Sequence, residues 1–235
     1  MLIRPDGPSL IVHAPAKLNL FLEVLGRRSD GFHELESLMV TVSLYDTLSF
    51  TEEPTAAIRL RCFGVGDLGE VPADRTNLVV RAARLLQERT GTSRGVSVGL
   101  WKRVPVAAGL AGGSTDAAAT LLALNRLWEL ELAPGELLSL AAELGSDVAF
   151  LASGTPAAIC RGRGEEVDPV ERPLGLSAVI ARPESGLSAA EVFRHCRVVD
   201  TPRGAQPLVD RLFSGRLAAA SRLLHNSLQP TAEAL

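Results

Sequence analysis

The residues from Pro105 to Asp116 concentrate the features that could do chemistry. Pro105, Val106, Ala107, Ala108, Gly109, Leu110, Ala111, Gly112, Gly113, Ser114 and Thr115 lead from a strand-like segment into a strongly helical one. Small side chains let a backbone approach a ligand closely, and successive N–H groups at a helix start attract anions. A polyphosphate is the natural anion for such a cradle, so the stretch points to a nucleotide. It is neither of the two commonest phosphate motifs. Gly113-Ser114-Thr115 lacks the lysine of a Walker loop, and the Gly-x-Gly-x-x-Gly spacing of dinucleotide enzymes is absent, which disfavours a dehydrogenase. Taken alone, the loop also reads as an ordinary turn capping a core helix.

Two more places carry candidate chemistry. Lys17 and Asn19 alternate along a strand-like run and so project side by side from one face. In Leu144-Gly-Ser-Asp147, Gly145 ends one helix and Ser146 can cap the next, which puts Asp147 in a first helical turn, where negative charge is favoured. An aspartate aimed at an alcohol can take its proton, and an ammonium can steady a phosphoryl group in transfer. Singly, each of these has a plainer reading: Asp147 as a cap, Lys17 as a solvated strand residue. His33 alone is a turn histidine, as His13, His195 and His225 remain, and Phe32 and Phe193 are core or loop aromatics.

The elements that must position these residues can be read from periodicity. Leu10 to Ala14 and Lys17 to Val24 read as two strands, with a basic loop from Gly26 to Gly31. Leu38 to Leu44 alternates, and Leu48 and Phe50 continue after a turn at Tyr45-Asp46-Thr47. Asn77 to Arg89 is helical with Gly91 beyond its end, and Val96 to Leu100 is a strand running into Lys102. Thr115 to Leu130 is a long apolar helix, and Pro134 opens another. Ala157 to Cys160 and Glu166 to Val170 form a hairpin around Gly162-Arg163-Gly164. Ala178 to Ala181 reads as a strand, Ser188 to Glu191 as a capping box, and Leu208 to Leu224 as a helix. Strands and helices mix without strict alternation, which predicts an α+β protein of two domains, residues 1–172 and 173–235.

Composition narrows the class. The chain has 235 residues, a net charge of −3 and 46% hydrophobic residues, ordinary values for a soluble globular protein with no electrostatic case for nucleic acid or an anionic membrane. Three dispersed cysteines, Cys62, Cys160 and Cys196, argue against a disulfide framework or a zinc site and fit a cytoplasmic protein. Arginine heavily outnumbers lysine: Lys17 and Lys102 are the only two lysines, and both fall in or beside the segments already singled out.

Together, Ala14-Pro-Ala-Lys-Leu-Asn-Leu20, Asp30-Gly-Phe-His-Glu-Leu35, Asn77-Leu78, Lys102-Arg-Val-Pro105 with its Gly loop, and Leu144-Gly-Ser-Asp147 resemble the GHMP small-molecule kinases. The likeness is strongest to the branch acting on a cytidine-diphosphate-linked methylerythritol, and it runs from about residue 12 to Asn226-Ser-Leu228. It implies a two-domain fold, the N-terminal domain like domain 2 of ribosomal protein S5 and the C-terminal one ferredoxin-like. It also implies phosphorylation of the substrate's 2-hydroxyl with ATP and Mg²⁺, a step of the non-mevalonate isoprenoid route. By that resemblance Pro105 to Thr115 wrap the ATP phosphates, Asn77 and Lys102 lie near the adenosine, and Ser114 or Thr115 helps place Mg²⁺, with no metal cluster of the protein's own. Phe32 stacks on the cytosine, His33 bonds its edge, Phe193 is the second wall, Asn19 adjoins the substrate, and Lys17 and Asp147 are the catalytic pair.

The expected partner is that small molecule, with no nucleic acid and no membrane, as a monomer or weak homodimer. Ala111 stands where the family usually has another glycine; a positive φ there would cost on the order of 1 kcal/mol. Phe32 and Ala149 stand where tyrosine and proline are common. A third Gly-rich motif that the family carries near its C-terminus is not found, so the C-terminal domain reads as incomplete. The alternatives are a GHMP kinase for another alcohol and a nucleotide-binding module with impaired catalysis.

Overall fold

Alternating apolar residues at the N-terminal end form three strands: β1 (Leu2–Asp6), β2 (Ser9–Arg27) and β3 (His33–Glu53). They belong to a computed structural model that describes residues 1–64, 71–170, 175–181 and 186–235. Two compact units emerge from the contacts. The first comprises Met1–Ala16, Val42–Val106 and Leu110–Gly154, the second Lys17–Thr41, Ala107–Gly109 and Thr155–Leu235. The chain passes between them within β2, within β3, twice in the Gly loop and once after Gly154. The boundary expected at 172 falls on residues 171–174, outside those described.

In the first unit, β1 and the start of β2 form a hairpin around Gly7, with Leu2 opposite His13. After β3 come β4 (Ile58–Gly64), α1 (Leu78–Thr90) and β5 (Gly95–Lys102). β5 pairs antiparallel with the end of β3, Thr47 opposite Trp101, and parallel with β4. Three helices follow: α2 (Gly112–Leu127), α3 (Pro134–Leu144) and α4 (Ser146–Ala152). α2 packs against the other three helices, and every residue from Thr115 to Leu121 is buried, as expected of a helix apolar on all sides.

The second unit contains the hairpin of β6 (Ala157–Gly162) and β7 (Glu166–Pro169), then α5 (Ala189–His195), α6 (Gln206–Phe213), α7 (Leu217–Ala220), β8 (His225–Asn226) and α8 (Gln229–Ala234). β6 pairs antiparallel with the start of β3, Leu38 opposite Ile159, and β8 pairs parallel with β2 at Phe21 and Leu22. Phe21, Leu38 and Ile159 share a core with Ala205, Leu208 and Val209 of the α6 region. Among the described residues, no helix is long and apolar enough to cross a membrane.

The mixed α+β class, α1 with Gly91 beyond its end, α3, the β6–β7 hairpin and the Ser188 cap of α5 match the sequence reading, while Asn77, expected as the first helical residue, is the cap of α1. Several boundaries do not. β2 is one strand through Pro15, which stands beyond the end of the β1 ladder at His13. β3 runs unbroken through Tyr45-Asp46-Thr47, since buried partners satisfy Asp46 in the strand. α2 starts at Gly112, three residues before the expected helix, and Gly145 rather than Ser146 caps α4. Residues 178–181 form no strand, and Val179 is 98% exposed with no ladder beside it. Gly215, at φ +68, breaks the expected helix from Leu208 to Leu224 after α6.

Two carboxylates from the long strands organise the second unit. Glu23, buried on β2, accepts hydrogen bonds from the backbone N–H groups of Arg203 and Gly204 at 3.1 Å. Glu36 on β3 accepts from Ala205 N at 2.6 Å and from Arg161 Nε at 2.9 Å. These groups lie at the entry to α6, where negative charge is favoured. Replacing Glu23 by alanine leaves two backbone donors without their charged acceptor. Urea denaturation of Glu23→Ala should therefore show a loss of about 1–3 kcal/mol, and a loss below the error of the method would refute the clamp.

Candidate active site

Lys102, at the end of β5, is 3% exposed and sits between two carboxylates of the same unit. Its Nζ donates to Asp46 of β3 and, at 2.8 Å, to Asp116 of α2. Asp46 also accepts from the backbone N–H groups of Arg103 at 2.6 Å and Val104 at 2.9 Å, while Oδ1 of Asp116 is buried without a partner. One ammonium cannot neutralise two buried carboxylates. Burial first, and the like charge of Asp46 after it, outweigh Lys102 and push the Asp116 carboxyl up to about 7. Burial opposes the Lys102 charge, but the two acids raise its pKa above the ordinary 10.5. The cluster thus approaches neutrality by keeping a proton on Asp116.

This cluster underlies the start of α2. A Cβ at Gly112 would lie 3.0 Å from Lys102 Nζ, so only glycine lets the helix begin there without displacing the ammonium. Ala111 caps α2 at φ +57 and ψ +34, so the expected methyl group does stand in the left-handed region, and Ala107 adopts φ +55. Such a conformation costs a non-glycine residue about 1–2 kcal/mol. Thr115 N already bonds Ala111 O, whereas the N–H groups of Gly112, Gly113 and Ser114 precede any intrahelical acceptor. The Thr115 hydroxyl, just beyond them, is buried and unpartnered. The first turn of α2 therefore offers donors, a helix dipole and an orphaned hydroxyl, which suit phosphate oxygens.

The other expected residues stand as follows. Asn77 uses its side chain as a cap, accepting from Val79 N and donating to Pro72 O. Lys17 is 6% exposed and donates to Asn19 Oδ1 at 2.5 Å, confirming that the two share a strand face. Asn19 donates in turn to Ser37, and Ser37 to Phe21 O, each at 2.7 Å, a relay that fixes the amide. Asp147 is half-buried in the first turn of α4.

In the second unit the His33 and Phe193 rings meet in a tilted arrangement, with centroids 5.6 Å apart and planes inclined by 30°. Burial, with the Arg27 charge, lowers the His33 pKa, which favours the neutral ring; its Nε2 is buried without a partner. Phe32 is 52% exposed and carries the Arg163 guanidinium over its ring.

Sequence reasoning assigned no role to Asp46, Asp116 or Arg163. A signal for the first existed: in a chain with two lysines, an acid interrupting an alternating strand calls for one of them. Glycines on both sides made Arg163 look like a plain hairpin tip.

The family model described as "GHMP kinases N terminal domain" matches residues 77–162. A solved structure of a 4-(cytidine 5'-diphospho)-2C-methyl-D-erythritol kinase is 34% identical and aligns with a TM-score of 0.69 over 94% of this chain and 76% of its own. The chain belongs to the GHMP kinase family, and it is a small-molecule kinase. A relative from Bacillus cereus (strain B4264) is named 4-diphosphocytidyl-2-C-methyl-D-erythritol kinase. It is 44% identical over 203 residues, which cover 86% of this chain and 68% of the relative. A relative of the same name from Geobacillus sp. (strain WCH70) is 40% identical over 221 residues, 94% of this chain and 75% of its own length.

The buried cluster makes a pH prediction. The folded protein holds the Asp116 proton up to about pH 7, whereas an ordinary aspartate releases it near 3.8. The contribution of this group to stability is therefore complete below about pH 4 and is lost as pH rises through 7. Urea unfolding across that range should show this decline in the wild type and a shallower one in Asp116→Asn. Equal slopes in the two proteins would rule it out.

Proposed function

We propose that the chain transfers the γ-phosphoryl group of ATP to the 2-hydroxyl of 4-diphosphocytidyl-2-C-methyl-D-erythritol, a step in making isoprenoid precursors in the cytoplasm. The observation that carries this reading is the 40–44% identity, over most of the chain, to relatives named for that substrate. Geometry inside the second unit supports it. A cytosine needs a flat apolar face and a hydrogen-bonding edge, and Phe32 presents an exposed ring while His33, in ring contact with Phe193, has an unused ring nitrogen.

The roles follow from chemistry. Phosphoryl transfer passes through a loose transition state, so positioning and charge stabilisation dominate. The loop Pro105 to Thr115, with α2 behind it, holds the ATP phosphates, and Asn77 and Lys102 flank the adenosine side. Lys102 does so as a buried support of the loop. Mg²⁺, when bound, offsets phosphate charge. The orphaned Thr115 hydroxyl, or Ser114, suits an oxygen of its shell, and the described residues hold no acidic or histidine cluster that would bind it separately. Asn19 orients Lys17, which stabilises the transferring group, and Asp147 accepts the proton of the 2-hydroxyl.

Asp147→Asn should retain ATP affinity and lose about 10²–10⁴-fold in kcat in a coupled ADP-release assay, the range expected for removing a general base. A kcat near wild type would withdraw the base assignment. Phe32→Ala should raise KM for the cytidyl substrate about tenfold, since stacking a base on an aromatic ring contributes roughly 1–3 kcal/mol. An unchanged KM would remove Phe32 from the site.

A further inference from the structure

The tip of the β6–β7 hairpin is organised beyond what a reversal of the chain requires. Glu165 folds back to accept hydrogen bonds from Arg163 N at 2.6 Å and Arg163 Nε at 3.1 Å. Its carboxylate lies where a side chain at position 162 would be: a Cβ on Gly162 would meet Oε2 at 2.8 Å, and Gly162 is at φ +68. The guanidinium that Glu165 holds lies 4.8 Å from the centroid of the Phe32 ring.

Phe32 is prepared from its own side too. Asp30 Oδ1 accepts from Phe32 N at 3.1 Å, and Arg28 bridges Asp30 and Glu34 at 3.1 and 2.7 Å. These bonds fix the backbone and leave the ring, half out in solvent, without core packing to set its torsions. A cation over one face restricts them, while about half of the residue's surface stays open to solvent. An aromatic ring held in one orientation loses less entropy when a base stacks on it than a ring that turns freely.

We propose that Arg163, held by Glu165, is a positioning residue that braces Phe32 from one face so that the other receives the pyrimidine of a cytidine-diphosphate substrate. The inference rests on the proposed function for the substrate's identity. Arg163 touches neither reacting atom. Its influence passes through the ring, so it belongs to KM rather than kcat.

A double-mutant cycle on the full chain tests this, with CDP as the titrant for Kd and the cytidyl substrate for KM. Arg163→Ala should raise both constants about two- to fivefold, the equivalent of an exposed cation–π contact, with kcat and the KM for ATP unchanged. Glu165→Gln, which loosens the guanidinium without removing it, should give a smaller rise of the same kind. In a Phe32→Leu background, Arg163→Ala should have no further effect, because the ring it braces is gone. Three results would overturn the proposal: no change on Arg163→Ala, a fall in Kd (the guanidinium then occupies the face the base needs), or an equal penalty without the Phe32 ring. A wild-type chain that does not bind CDP would overturn the substrate reading and this inference together. CDP binding indifferent to Arg163 would overturn this inference alone.

Discussion

In the first unit one ammonium between two carboxylates decides where three elements meet. Lys102 draws Asp46 of β3 and Asp116 of α2 to the end of β5, and Asp46 additionally gathers the N–H groups of the residues leaving that strand. A buried ion cluster of this kind is weak evidence for net stability, because desolvation consumes most of the Coulombic gain. Its effect is on geometry. Any displacement of α2 along its axis would break the Lys102–Asp116 hydrogen bond and leave buried polar groups unpaired, at a cost of about 1–3 kcal/mol. The helix that starts the candidate phosphate site is thereby held in register with the sheet. A lysine suits this place in an otherwise arginine-rich chain. Its charge is compact and fits beneath Gly112, where the wide fork of an arginine would collide with the helix start.

The second unit uses charge differently. Glu23 and Glu36 are anchored by backbone N–H groups at the entry to α6, so strand carboxylates fix a distant segment of chain. At the hairpin tip, Glu165 fixes an arginine that sits on an exposed ring. In each case an acid immobilises a donor that would otherwise move. At the hairpin tip the mobility removed lies beside Phe32, whose expected task is to present a face to a ligand.

What the sequence made legible, and what it hid, follows from the range of the interactions. The Pro134 start, the Gly91 stop and the Ser188 cap are local signals, and each appears in place. The shared face of Lys17 and Asn19 follows from strand alternation alone. Asp46 was misread because an aspartate in an alternating run usually marks a turn, and only a partner 56 residues away cancels that rule. Residues 178–181 look like a strand to local propensity, but a strand needs a neighbour, and none pairs with them. The family assignment was readable because it rests on several short motifs in order. Arg163 was not, because its role depends on Phe32, far away in sequence.

The alanines of the Gly loop show how a substitution at such a site is accommodated. Ala107 and Ala111 both hold positive φ, and together this disfavours the loop by about 2–4 kcal/mol relative to residues at ease there. Strain of this size persists only where the surroundings over-determine the backbone. For Ala111 they do: Thr115 N bonds its carbonyl, α2 is buried from Thr115 to Leu121, and Asp116 is pinned by Lys102. Around Ala107 the neighbouring chain lies close. A Cβ on Gly186 would come within 3.1 Å of the Ala107 methyl and 3.3 Å of its carbonyl, so the side chain present at 107 requires the absence of one at 186. The two positions must therefore be considered as a pair. Enlarging residue 186 would press on the loop through Ala107, and a glycine at 107 would relieve both the torsion and the contact.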